Sequence, residues 1–279
     1  MSTAGTAGTA GMERRDPGGL PAYAWPALDG TGVEAYVSTR AGGVSTGSYA
    51  SLNLGLHVGD DPVAVVENRS RLARALGVGL GDLVFSDQVH QPHVAVVTEA
   101  ERGRGARDTA DALPATDAVV TAVTGLVLVI QVADCVPLVL VDPVRRLLAC
   151  VHAGWGGTVR GVTPAAVARL VELGSDPGDV VAAIGPSIAP EAYQVGADVV
   201  AAAEAALGAH AGEVVRPDGT GRWSFDLWAA NRLQLVAAGV PARNIALAGL
   251  DTGPGTPFFS HRREGPTGRF AVAARLTTA

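Results

Sequence analysis

Apolar positions follow two rhythms along this chain. Between residues 126 and 152 they run almost unbroken, in "LVLVIQV" (126–132), "VPLVLV" (136–141) and "LLACVH" (147–152). Short, β-branched runs of this kind read as strands covered on both faces, the buried centre of a sheet. Elsewhere the spacing is helical. Asp61-Pro62 resembles a helix cap with proline at the first helical position, and Val63, Val66, Leu72 and Leu76 then give an apolar stripe that ends at Gly77. A second helix opens at Thr163-Pro164 and runs through Leu173 to Gly174, and others are expected near 197–208 and 226–238. The alternation predicts an α+β fold: one layered, mixed α/β domain with central mixed sheets flanked by helices.

Two stretches fall outside both rhythms. The first 19 residues carry a TAG repeat and no apolar stretch, so they are neither a signal peptide nor a membrane anchor. A disordered tail over 1–19 and a catalytic domain over 20–279 are expected, and Met12 is a second candidate start. Residues 101–117, "ERGRGARDTADALPATD", are polar and turn-rich. They read as a solvated connection rather than a lid over a site.

Composition narrows the function. A hydrophobic fraction of 48% is ample for one large core, and a formal charge of -6 argues against nucleic acid as a partner, since no basic surplus exists to displace counterions. All 21 basic residues are arginine, which excludes Schiff-base and P-loop lysines and leaves any phosphate to arginine or backbone amides. With only two cysteines, Cys135 and Cys150, a disulfide-stapled secreted scaffold is excluded and a cytoplasmic protein is expected.

Cys135 and His152 end neighbouring apolar runs, where a thiolate and an imidazole could hold a metal or form a nucleophile and base. Cys150 would share a strand face with His152, but the apolar run around it favours burial. His152 opens "HAGWGG", whose glycines let backbone approach a ligand closely. His90 and His93 flank a proline in "VHQPH", so they cannot share a helical face. With His57, His210 and His261 the chain has six histidines, too few for a type-1 copper site plus a trinuclear cluster.

The strings "STRAGGVSTGSYASLNLGLHVGDD", "ENR", "DQVHQ", "TDAVVT", "ADCVPL", "HAGWGG", "IGPSI" and "FFSHRREGPTGR", in this order, resemble the YfiH or laccase-domain family. That family is also called peptidoglycan editing factor or polyphenol oxidase, and its members are described as purine nucleoside phosphorylases. The resemblance covers nearly everything after the tail. It implies zinc held by His90, Cys135 and His152, with a fourth position open for water or substrate. It also implies phosphorolysis of adenosine, inosine, guanosine or methylthioadenosine, and deamination of adenosine. The partners so implied are purine nucleosides and phosphate, bound by a monomer or homodimer.

Arg40 in "STRAGG" and Asn53 in "SLNLG" match positions near the family's site and are candidates for substrate contact; Arg69 of "ENR" is expected on a solvated helix face. The chain departs from the family pattern at Gly156, where arginine is common, at Ser187, where cysteine is common, and at Asp251-Thr252, where "CT" is common. Three other classes remain: a cysteine-dependent amidohydrolase of peptidoglycan precursors, with Cys135 attacking and His152 as base, a copper-dependent polyphenol oxidase, and a non-enzymatic ligand-binding protein whose cleft keeps the same residues.

Overall fold

The computed structural model describes residues 11–278. Glu13–Arg15 (β1), Ala22–Ala24 (β2), Val33–Ser38 (β3), Leu83–Val84 (β4), Val94–Val97 (β5), Ala118–Thr121 (β6), Val127–Val132 (β7), Val136–Asp142 (β8) and Leu147–Ala153 (β9) come first along the chain. Val181–Ile184 (β10), Gln194–Val195 (β11), Val215–Pro217 (β12), Trp223–Phe225 (β13), Ile245–Leu247 (β14) and Phe270–Leu276 (β15) follow. They form two six-stranded sheets, in the orders β1-β2-β3-β15-β7-β4 and β14-β10-β8-β9-β6-β5, and a small sheet β11-β13-β12. Both large sheets are mixed, since β4 and β7 pair in parallel while β7 and β15 are antiparallel, and β10 pairs in parallel with β14 but antiparallel to β8.

Side-chain alternation reveals the layers. On β7, Val127 and Val129 face the helix Pro62–Ala75 (α1), whereas Leu128, Ile130 and Val132 face the second sheet. On that sheet Val139, Val141, Leu148 and Cys150 complete the inter-sheet core. Leu138, Leu140, Ala149 and Val151 point the other way, onto Val162–Glu172 (with Trp155–Val159 and Val162–Glu172 named α2 and α3) and Leu227–Ala237. A period of two on strands buried on both sides gives helix, sheet, sheet, helix. The near-continuous apolar runs are thereby explained, as is the expected mixed α/β layering.

Two elements depart from expectation. On α1 the Asp61 cap is present, its side chain accepting from Val63 N at 3.0 Å, but Val63 is 76% exposed. The buried face instead carries Val65, Asn68, Arg69, Leu72 and Ala73. Apolar spacing placed Leu72 and Leu76 in the core and Val66 against it, but put Val63 inside and missed the buried polar members Asn68 and Arg69. The disordered tail expected over 1–19 falls partly on residues 1–10, which lie outside the described residues; in the rest of it, Glu13–Arg15 pairs antiparallel with Ala22–Ala24. Met12 packs on the inter-sheet core, and Gly18, at φ +53°, comes so close to the end of α1 that a Cβ there would lie 2.7 Å from Ala75 Cα.

Candidate metal centre

The ends of β8 and β9 meet the loop between β4 and β5. Cys135 directly precedes β8, His152 lies near the end of β9, opposite Pro137, and His90 comes from the loop. One donor atom from each lies within 4.8 Å of the others. His93 is not part of this group; it is exposed, with Nδ1 3.0 Å from the Ala115 carbonyl. Cys150 is fully buried in the inter-sheet core, where desolvation pushes its thiol far up. The sequence's preference for burial at Cys150 is explained by that packing.

Two carboxylates set the geometry. Asp117, fully buried, accepts from Val89 N at 3.1 Å, His90 N at 2.9 Å and Gln91 N at 2.8 Å, and lies 2.8 Å from His152 Nδ1. These bonds hold the His90 loop although His90 sits at φ +59°, and they direct His152 Nε2 toward the other donors. Asp134, at φ +87°, is fixed by Thr252 Oγ1 at 2.6 Å, Ser260 Oγ at 2.7 Å and Arg262 N at 2.6 Å. It thereby anchors the turn that presents Cys135.

Electrostatics match the geometry. Burial would raise the Asp117 carboxyl, yet bonds from His152 and the Gln91 N–H hold it below the usual range. Burial would likewise lower His152, but Cys135 and Asp117 raise it to about 9. His90 opens onto a cavity, and desolvation together with His152 lowers it to about 4, so its imidazole is neutral. A cation between the donors would displace the His152 proton, as metal binding to imidazole and thiolate requires.

The residues fit an ion on a further ground. A Cβ at Gly154 would lie 2.7 Å from His90 Nδ1 and 2.8 Å from Cys135 Sγ, so glycine alone leaves this cradle open. One thiolate and two imidazoles are a soft-to-borderline set suited to zinc or copper. Among the described residues, which include all six histidines and both cysteines, they are the one cluster of three such donors that includes a cysteine or histidine.

The donors line a cavity of about 610 Å³. Gly105, Thr109, Ala110 and Ala112 form part of its wall, so the segment expected to be a solvated connection is instead a cavity wall. Arg69 fastens that segment, donating from Nη1 to the carbonyls of Gly105 at 2.5 Å and Ala106 at 3.2 Å. The solvated face expected for Arg69 is thus overturned: it is 1% exposed, and its guanidinium lies 3.7 Å from the Phe85 ring centroid. Arg40 and Asn53 do not line the cavity. Arg40 pairs with Glu264 at 2.8 Å over the Phe259 ring. Asn53, fully buried, accepts from Gly55 N and Arg269 N, both at 2.9 Å.

Asp117, Asp134, His57 and Arg269 were not assigned from sequence. Their one signal was membership in the ordered strings, where each is a polar residue beside an apolar or glycine-rich run. At Gly156 the space of a longer side chain is taken by Arg160, whose Nη1 would lie 2.6 Å from a Cβ there and donates to the His90 carbonyl at 3.3 Å. Ser187 and Asp251 bridge each other's backbone and do not line the cavity.

Comparison with known proteins agrees with this architecture. Purine nucleoside phosphorylase YlmD of Geobacillus stearothermophilus is 42% identical over 245 residues, 85% of this chain and 88% of that protein. Adenosine deaminase RL5, from an unknown prokaryotic organism, is 42% identical over 235 residues, 84% of this chain and 90% of that protein. A solved structure of YlmD from Geobacillus stearothermophilus superposes with a TM-score of 0.87 at 40% identity, covering 91% of this chain and 94% of that one. With residues 34–277 matching the family described as multi-copper polyphenol oxidoreductase laccase, the chain belongs to that family, the one to which YfiH-type proteins are assigned.

Proposed function

We propose that this chain is a zinc-dependent purine nucleoside phosphorylase with adenosine deaminase activity. The observation that carries the reading is the His90, Cys135 and His152 set on the wall of a cavity large enough for a small organic ligand, with Gly154 keeping the space between the donors clear. Three protein donors leave a tetrahedral ion one open position. The relatives named purine nucleoside phosphorylase and adenosine deaminase supply the reaction classes. Only two of the six histidines, His90 and His152, join Cys135 in the one donor set found among the described residues, which favours a single ion over a multi-copper oxidase.

Zinc bound here would act as a Lewis acid that lowers the pKa of a water toward neutrality. The protein's own part is orientation. Asp117 fixes the His152 ring, Asp134 fixes the Cys135 turn, and Gly105, Thr109, Ala110 and Ala112 bound one side of the cavity. Ser86 Oγ and Gln131 Oε1, beneath the cavity surface, have no hydrogen-bond partner among the described residues and suit a ligand with polar edges, such as a purine. In phosphorolysis a phosphate oxygen bonds to the anomeric carbon as the C–N bond breaks, its electron pair leaving with the base. The hydrogen of hydrogenphosphate ends on the base. In deamination, water and adenosine give inosine and ammonia.

Elemental analysis of freshly purified protein beside a nucleoside screen with and without phosphate tests the reading. About one zinc per chain, with turnover lost on chelation and restored by zinc, is expected. A cysteine-dependent amidohydrolase would instead ignore chelators and die on thiol alkylation. Copper with phenol oxidation would support the oxidase.

A further inference from the structure

The cavity wall also carries a feature the metal chemistry does not use: cations without counter-ions. Arg69 and Arg269 both line the cavity, and neither forms an ion pair with a carboxylate among the described residues. Arg69 spends Nε on the Leu54 carbonyl at 2.8 Å and Nη1 on Gly105 and Ala106, which leaves Nη2 without an acceptor among the described residues. Arg269 spends Nη1 on the carbonyls of Thr267 and Gly268, both at 3.0 Å, which leaves Nε and Nη2. A guanidinium buried among backbone carbonyls with unspent donors is costly unless something anionic meets it.

The short segment Asn53–His57 assembles this cluster. Asn53 Oδ1 holds the Arg269 backbone N–H, and the Leu54 carbonyl holds Arg69. Gly55 gives Arg269 room to lie across the chain, since a Cβ there would come within 2.8 Å of Arg269 Cγ. His57, next but one, lines the same cavity. We propose that His57, Arg69 and Arg269 form the seat of the phosphate co-substrate, with Asn53 a positioning residue for Arg269. The proposal rests on the phosphorylase reading and replaces Arg40, whose charge Glu264 already answers.

The field in the cavity agrees. Desolvation, then Arg269 and Arg69, lower His57 to about 4, and burial without a partner lowers Arg69 to about 9. Two guanidiniums that burial disfavours, and an imidazole whose proton they repel, are stabilised together by a dianion. Asp87 is the carboxylate that also lines the cavity, but it is exposed and bonds to neither arginine. Arg269 also lies within electrostatic reach of Cys135. Phosphate held there is therefore in the same chamber as the donors, where attack on a bound nucleoside becomes effectively intramolecular.

The test is titration calorimetry of inorganic phosphate into the purified protein, beside KM for phosphate and for nucleoside, in Arg269→Gln, Arg269→Lys and His57→Ala variants. Arg269→Gln should raise both Kd and KM for phosphate roughly 10–100-fold, the range of a charge-assisted contact, with KM for nucleoside little changed. Arg269→Lys should recover part of the loss. The His57 side chain makes no hydrogen bond among the described residues, so His57→Ala, which should weaken phosphate several-fold, keeps the test open if Arg269→Gln misfolds. Weaker phosphate binding in the variants without any phosphorolysis in the parent would uphold the seat and sink the phosphorylase reading. Unchanged phosphate Kd in both replacements, or a rise in nucleoside KM alone, would overturn the seat while leaving that reading intact. A nucleoside 5′-monophosphate that binds where inorganic phosphate does not compete would likewise overturn it.

Discussion

The two ends of the cavity are built by opposite means. At the donor end, β8 and β9 are apolar on both faces, and burial between the first sheet and the helices fixes their ends; Asp117 and Asp134 then set the last few degrees. At the arginine end, residues 44–60 contribute Leu52 and Leu54 to a core but are otherwise held by buried amides. Asn68 alone accepts from Val44 N and donates to Ser45 Oγ and to the carbonyls of Ser51 and Asn53. Hydrophobic layers give a frame that survives loss of a polar group, whereas a polar lattice does not, because each deleted partner strands another. Substitutions at the donor end should cost function and spare the fold; those in the lattice should do the reverse.

The largest expected effect is at Cys135. Cys135→Ala should abolish both metal retention and turnover while leaving the melting temperature of the metal-free protein nearly unchanged, since Cys135 is only half-buried. Cys150→Ala, in the core, should keep its full metal content. If Cys135→Ala retains metal and Cys150→Ala does not, the donor assignment fails. Gly154→Ala follows, for its Cβ would enter the space shared by His90 and Cys135. Metal content should fall without unfolding, and a fully metallated, active variant would show that the donors have room to spare.

The lattice is probed at Asn68. Asn68→Ala strands the Val44 N–H and two carbonyls in a buried site, at a cost of about 2–4 kcal/mol, or roughly 5–10 °C in a domain of this size. Metal content should be intact. A smaller effect is expected from Asp117→Asn, which keeps the shape but loses the charge opposite His152, and should weaken metal affinity roughly 10–100-fold. Unfolding of Asp117→Asn would erase the distinction between the two ends, and so would loss of metal from Asn68→Ala.

The same contrast explains what was legible in the sequence. The strands at the donor end were readable because their apolar runs report burial directly, and Cys135 and His152 stood out as the soft donors that end them. Proximity of His90 was not readable from its own neighbourhood; it depends on Asp117, which is 27 residues away and bonds to the His90 backbone. The lattice was opaque for a stronger reason. Asn53, Asn68 and Arg69 are types that ordinarily face water, and their burial follows from carbonyls and N–H groups of turns that carry no side-chain signature. Periodicity therefore placed Val63 inwards and Arg69 outwards, the reverse of the structure. Sheet partners separated by long sequence, such as β15 between β3 and β7, were equally silent.

The smallest expected effect concerns the N-terminal segment, where the two kinds of support meet. Composition argues that residues before 20 can be removed freely, because Gly, Ala and Thr repeats offer little apolar surface against ordering entropy. Beyond residue 10, however, Met12 touches the inter-sheet core, β1 covers the edge of β2, and Gly18 packs on the end of α1. The Arg15 ion pair with Asp29, at 2.7 Å, is largely exposed and adds little. Removing residues 1–10 should leave the melting temperature unchanged. Removing 1–19 should lower it by roughly 2–6 °C, corresponding to about 1–2 kcal/mol from one small apolar contact and a three-residue edge pairing. Both truncations should keep full metal content, since neither reaches the donor end. Equal melting temperatures for the two truncations would mean that the edge strand adds nothing to the fold, and loss of metal from the longer one would show that the frame around the donors is less independent of the sheet edge than its layered burial implies.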